Sequence, residues 1–86
     1  MDITLNTCEW TEVTGLEDGK MYALQAKYIR RGISFPHNIL FIRGTSVPTQ
    51  PHVGYIDNYI KFTKNANESV YIRTYVEDIQ VHIERI

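Results

Sequence analysis

The stretch Ser69 to Ile86, SVYIRTYVEDIQVHIERI, constrains the fold more than any other part of the chain. Val70, Ile72, Thr74 and Val76 alternate with polar or aromatic residues in its first half, and Ile79, Val81 and Ile83 do so in its second. Only a backbone with a side-chain period of two places each set on one face. Glu77-Asp78 separates the two sets and leaves room for a tight connection, so the stretch predicts an antiparallel hairpin. A lone hairpin is marginal in water, and other strands must cover its apolar face.

Those strands have to come from a chain of 86 residues, which predicts one domain over 1–86. An apolar fraction of 43% supplies a core without metal or disulfide, and the single cysteine, Cys8, has no partner in the chain. Nine basic and ten acidic residues leave a net charge of -1 with the signs mixed. The basic excess that a nucleic-acid ligand demands is missing, which argues against that partner. No run of 18 apolar residues suggests a membrane span, and MDITLNTCEW lacks the regions of a signal peptide. Synthesis and folding in a cytosol-like compartment are therefore expected.

From the beginning, Ile3 to Leu5 reads as a short strand and Cys8 to Val13 as another. Trp10 in the second is expected to plug one end of the core. Gly15 and Gly19 punctuate the next segment, and Asp18-Gly19 suits a turn with positive φ. The phosphate-loop spacing is absent, because Met21 follows Lys20 where a hydroxyl is required. Met21 to Arg30 is read as a strand with Tyr22, Leu24, Ala26 and Tyr28 inward; helix is the rival, since Met, Ala, Leu, Gln and Lys favour it. A break follows from Arg31-Gly32 to Asn38, and then ILFIR, Ile39 to Arg43, is short and apolar enough to be buried on both faces.

Gly44 to Gly54 carries Pro48 and Pro51 and is predicted as a loop or sheet edge, the best candidate in the chain for an arm that meets a partner. Tyr55 to Thr63 resumes alternation as one strand, with Ile56, Asn58, Ile60 and Phe62 inward. Six or seven short strands then predict an all-β fold, a small antiparallel sandwich or partly closed barrel. Its core is expected to contain Trp10, Tyr22, Leu24, Ile56, Ile60, Phe62, Val70, Ile72, Ile79, Val81 and Ile83.

Chemistry is hard to place on this pattern. His37, His52 and His82 have no metal-ligand spacing, Cys8 has no base beside it, no serine sits in a nucleophile elbow, and the paired carboxylates are only sequence neighbours. No enzyme activity, metal or cofactor is expected. Tyrosine is abundant, six in all, and Tyr71, Arg73 and Tyr75 share the face opposite Val70 and Ile72. Aromatic and arginine side chains in a row suit a protein interface; they also suit stacking on a sugar, a peptide or a single strand of nucleic acid, and in a closed or two-layered β fold such tyrosines equally well pack both sides of a central strand. Tyr71, Arg73, Tyr75, Pro48 and Pro51 are therefore the candidate interface residues.

The order Trp10-Thr11, Leu16-x-x-Gly19-x-x-Tyr22-x-Leu24-Gln25, then Val70-Tyr71-Ile72-Arg73, a turn and a last alternating strand resembles small virion structural proteins of tailed bacteriophages. The likeness covers the first quarter and last fifth of the chain; Arg30 to Phe62 departs from it. It implies a capsid decoration or a head or tail accessory subunit, made in the host cytoplasm and resident in the virion. It further implies self-association, often as a trimer, and attachment to another virion protein, with Tyr71 and Arg73 on the anchoring strand.

Overall fold

Alternating apolar residues drive the chain into short strands that pack as two antiparallel sheets facing each other. The computed structural model describes residues 1–6, 8–50 and 53–86. The strands are β1 (Asp2–Leu5), β2 (Thr11–Val13), β3 (Met21–Arg30), β4 (Ile33–Pro36), β5 (Ile39–Gly44), β6 (Tyr55–Asp57), β7 (Tyr59–Thr63), β8 (Ser69–Arg73) and β9 (Ile79–Arg85), with no helix among the described residues. One sheet runs β2-β8-β5-β6; the other runs β1-β9-β3, with β4 and β7 both on the far side of β3. The fold is an all-β sandwich, and the sheets do not close into a barrel.

β3 organises the larger sheet. Its Tyr22 to Tyr28 pair with β9, while on the other side Met21 to Gln25 pair with β7 and Lys27 to Arg30 with β4. Ala26 bridges the gap: it donates to the carbonyl of Asn58 at 2.8 Å and accepts from the His37 N–H at 3.1 Å. Tyr22, Leu24 and Ala26 face Val70, Ile72, Ile39 and Phe41 of the opposite sheet, so the strand reading of Met21 to Arg30 holds over its full length. Phe62 stacks on Tyr22 at 5.8 Å and meets Phe41 at 5.1 Å, tying the two layers together. The turn ahead of β3 is closed by Gly19, whose φ is 79°, a conformation that glycine adopts without steric cost. Gly15 is also left-handed, at 82°.

Three expectations are corrected. The segments before and after Glu77-Asp78 are not a hairpin: β8 lies in the four-stranded sheet and β9 in the five-stranded one, and residues 74–78 cross between them. Val70 and Ile72 thus face Ile79, Val81 and Ile83 across the core rather than lying beside them. Thr74, 2% exposed, holds the start of the crossing by accepting the Val76 N–H on its hydroxyl at 3.3 Å.

The stretch from Tyr55 to Thr63 is two strands, because the chain changes sheet at Asn58. Asp57 forms the corner by accepting the N–H groups of Asn58 at 2.7 Å and Tyr59 at 3.4 Å, an Asx-type turn. Ile56 pairs with Leu40 on the side away from the core and is 61% exposed, whereas Ile60 and Phe62 on β7 are buried. Ile56 is therefore a surface residue.

Trp10 is the third. It is half-buried outside the core cluster, and its indole N–H donates to the Gln50 carbonyl at 3.0 Å. By alternation from Thr11, which pairs with Ile72, Trp10 points away from the core. It tethers the long loop to the outer side of the four-stranded sheet. Tyr22, Leu24, Ile60, Phe62, Val70, Ile72, Ile79, Val81 and Ile83 are all buried.

Candidate protein-binding surfaces

The row Tyr71, Arg73 and Tyr75 does not form an open platform. The register Ile42↔Tyr71↔Glu12 puts Tyr71 on the outer face of the four-stranded sheet, yet it is only 3% exposed. Leu40, on the same face, is 5% exposed. Both are buried outside the main core, on the face where the loop anchored by Trp10 and Gln50 returns. Gly54 ends that loop with φ 100°, and a Cβ there would lie 2.4 Å from the Phe41 carbonyl oxygen, so the chain can re-enter the sheet this closely only as glycine. Pro48 is half-buried and lines a small recess with Ile42 and Val47, which makes it part of a packed flap rather than a free arm. Pro51 and His52 lie outside the described residues. Of the three, Tyr75 is the exposed one, at 48%, and the Arg73 guanidinium lies 5.4 Å from its ring.

The larger apolar surface is a hairpin where the sequence suggested a break. Tyr28 is the last residue of β3 with a partner on β9, so Ile29 and Arg30 continue beyond the sandwich paired only with β4. Arg31 and Gly32 close this ribbon with φ of 52° and 77°, the two left-handed residues of a type I′ turn. A non-glycine residue in that region costs roughly 1–2 kcal/mol, which is why Arg31-Gly32 gives a weaker sequence signal than Asn-Gly. Ile33 is 58% exposed, Phe35 49% and Ile29 42%. Alternation and the pairs Tyr28↔Phe35 and Arg30↔Ile33 put Phe35 and Ile33 on the core-facing side of the larger sheet, past the edge of the sheet that would cover them. A groove of about 470 Å³ lined by Tyr28, His37, Val76, Glu77 and Asp78 adjoins this overhang. Val76, read from alternation as inward, is 43% exposed there.

A second groove, of about 570 Å³, opens at the corner between β6 and β7. Phe41, Ile60 and Phe62 form its floor, Tyr55 and Tyr59 flank it, and Arg43 and Lys61 supply its charge. Arg43 reaches across from the smaller sheet to donate to the Thr63 carbonyl at 3.2 Å. Asp57 is spent on the corner: the N–H groups of Asn58 and Tyr59 hold its carboxyl below the ordinary range, and it accepts the Tyr55 hydroxyl at 3.2 Å, which pushes that phenol up. Sequence reading missed this cluster because it exists only through the change of sheet at Asn58.

A second pair of shifted groups lies where β1 meets β9. His82 on β9 contacts Glu84 through Nε2 at 2.7 Å and Asp2 through Nδ1 at 2.6 Å, so its pKa is raised by Glu84 first and Asp2 second, and Asp2 is lowered by His82. The raised His82 value makes its contribution complete below an unfolded pKa of about 6.5 and lost as pH rises through the folded value. The lowered Asp2 value makes its share present above the ordinary carboxylate pKa and lost as pH falls through the folded one. Thermal stability is therefore expected to decline modestly as pH rises above about 6.5, and this slope should flatten in His82→Gln; an unchanged slope would remove His82 as its cause.

Among the described residues no group of three His, Cys, Asp or Glu side chains is placed to hold a metal ion. No family model, curated protein or solved structure matches the chain.

Proposed function

We propose that this β-sandwich is a non-enzymatic assembly subunit that acts by protein–protein contact, with the β3–β4 hairpin as its principal contact element. One observation carries the reading: Ile33 and Phe35 lie on the core-facing side of the larger sheet and yet are 58% and 49% exposed, on a strand that among the described residues pairs only with β3. Exposed apolar side chains gathered on one projecting ribbon are what an association surface requires. Arg30 and Arg31 at its tip and Glu77 and Asp78 in the adjoining groove make no ion pair among the described residues, so both charge signs remain for a partner. On the strength of the sequence resemblance, the assembly is the virion of a tailed bacteriophage, in which the subunit associates with itself, as a trimer by that likeness, and attaches to another virion protein as a capsid decoration or head or tail accessory.

Light scattering during size exclusion at two concentrations tests the self-association. A mass that is a fixed multiple of 10.0 kDa supports it, and 10.0 kDa at both concentrations contradicts it.

A second reading, a recognition module, is favoured by the corner groove, where aromatic and basic side chains surround an apolar floor.

A further inference from the structure

We infer that the corner groove takes an extended acidic peptide, which adds as an antiparallel strand to the free edge of β7; this rests on the recognition-module reading and not on the hairpin. The backbone groups of β7 point in alternate directions. Lys64 donates to the Lys20 carbonyl at 2.9 Å, so along this ladder the even-numbered residues aim at β3 and the odd-numbered ones away from it. Two side chains already occupy the ends of the outward row: Asp57 takes the Tyr59 N–H, and Arg43 takes the Thr63 carbonyl. Between them the Tyr59 carbonyl, both backbone groups of Lys61 and the Thr63 N–H have no partner among the described residues. They form a short ladder with its register marked at both ends.

The neighbouring edge differs. β4 ends in Pro36, which removes a donor and blunts pairing there, and β7 contains no proline. A strand laid on β7 would turn alternate side chains over Phe41 and Tyr55 and set the others beside Tyr59 and Lys61 on the outer face. The groove volume falls within the range of recognition clefts, roughly 300–1,000 Å³.

Charge decides the kind of peptide. Lys61 is exposed in the centre of the edge, 5.9 Å from the Tyr59 ring, and Arg43 closes one end; no carboxylate lines the groove among the described residues, and Asp57 beside it is engaged in the corner. A central edge lysine ordinarily discourages pairing with another strand. Here it excludes neutral and basic strands and admits one that sets a carboxylate directly across from it, where a cross-strand ion pair is favourable. In an antiparallel close pair that acidic residue also aims its own N–H and carbonyl at Lys61. The same residue of the ligand therefore supplies the charge and the backbone bonds.

The test uses the peptide acetyl-VEVEVEV-amide, followed by backbone amide NMR of the full chain. Binding is expected to shift and protect the Lys61 and Thr63 amides; methylating the glutamate nitrogens should abolish it, and methylating the valine nitrogens should not. Lys61→Glu should weaken this peptide by about tenfold or more and transfer preference to acetyl-VKVKVKV-amide. Ile33→Ser/Phe35→Ser should bind it as the native chain does, which separates this site from the hairpin. Absence of binding at millimolar peptide, equal binding of both methylated forms, or the same amides responding to oligothymidylate and not to the peptide would overturn the inference.

Discussion

Leu24→Ala is expected to destabilise the protein by about 3 kcal/mol, while Ile56→Ala costs less than about 1 kcal/mol. Leu24 is fully buried in the centre of β3, between β7 and β9, so truncation leaves a cavity that rigid neighbours on both sides cannot fill. Ile56 is 61% exposed on the outer side of a three-residue edge strand, and its methyl groups are already largely in water. For a domain of this size the first change lowers Tm on the order of 15 °C, a large share of the total margin. Urea unfolding of the two variants measures both numbers with one slope. Equal losses would mean that the chain does not change sheet at Asn58 and that Ile56 lies inside, as uninterrupted alternation from Tyr55 would have it.

Ile33→Ser/Phe35→Ser is expected to abolish association at micromolar concentration with little change in Tm. Both side chains are about half exposed, so their removal costs the monomer less than about 1 kcal/mol each. Covering them in an assembly contributes about 2–4 kcal/mol, and its loss weakens association by roughly 30-fold to 1,000-fold. Light scattering of the variant checks this. Retained association would place the contact elsewhere, with the exposed Tyr75 as the first alternative.

The two substitution series also show what alternation can reveal. Met21 to Arg30 was legible to the residue, because Tyr22, Leu24 and Ala26 face one way and Asp18-Gly19 stops the strand before it. Period two tells which side of a strand is apolar, but not in which sheet the strand lies. Val70 and Ile79 therefore read as neighbours in a hairpin when they belong to opposite layers, and Ile56 read like Ile60 although an Asx turn at Asp57 separates them. Tyr71 alternates with Val70 and Ile72 and so reads to the opposite face, which is where it lies; that face is covered, so the packing alternative and not the open interface describes it.

The surfaces were less legible for a related reason. Tyr28-Ile29-Arg30 and Ile33-Ser34-Phe35 flank a two-residue turn at hairpin spacing, but the turn places arginine at φ 52°, against its steric preference, and the break read there hid the ribbon. The corner groove draws Arg43 from one sheet and Lys61 from the other, 18 positions apart in sequence with no periodic relation. Trp10 needed the loop carbonyl of Gln50 to define its place.

The most direct test of the assembly role is amide hydrogen exchange compared between the associated protein and the same chain diluted to monomer. Protection on association is expected to centre on residues 27–37, the hairpin and its root, with a weaker effect at residues 75–78 across the groove. Protection confined to β1, β2 or the outer flap, with the hairpin exchanging freely in both states, would contradict it.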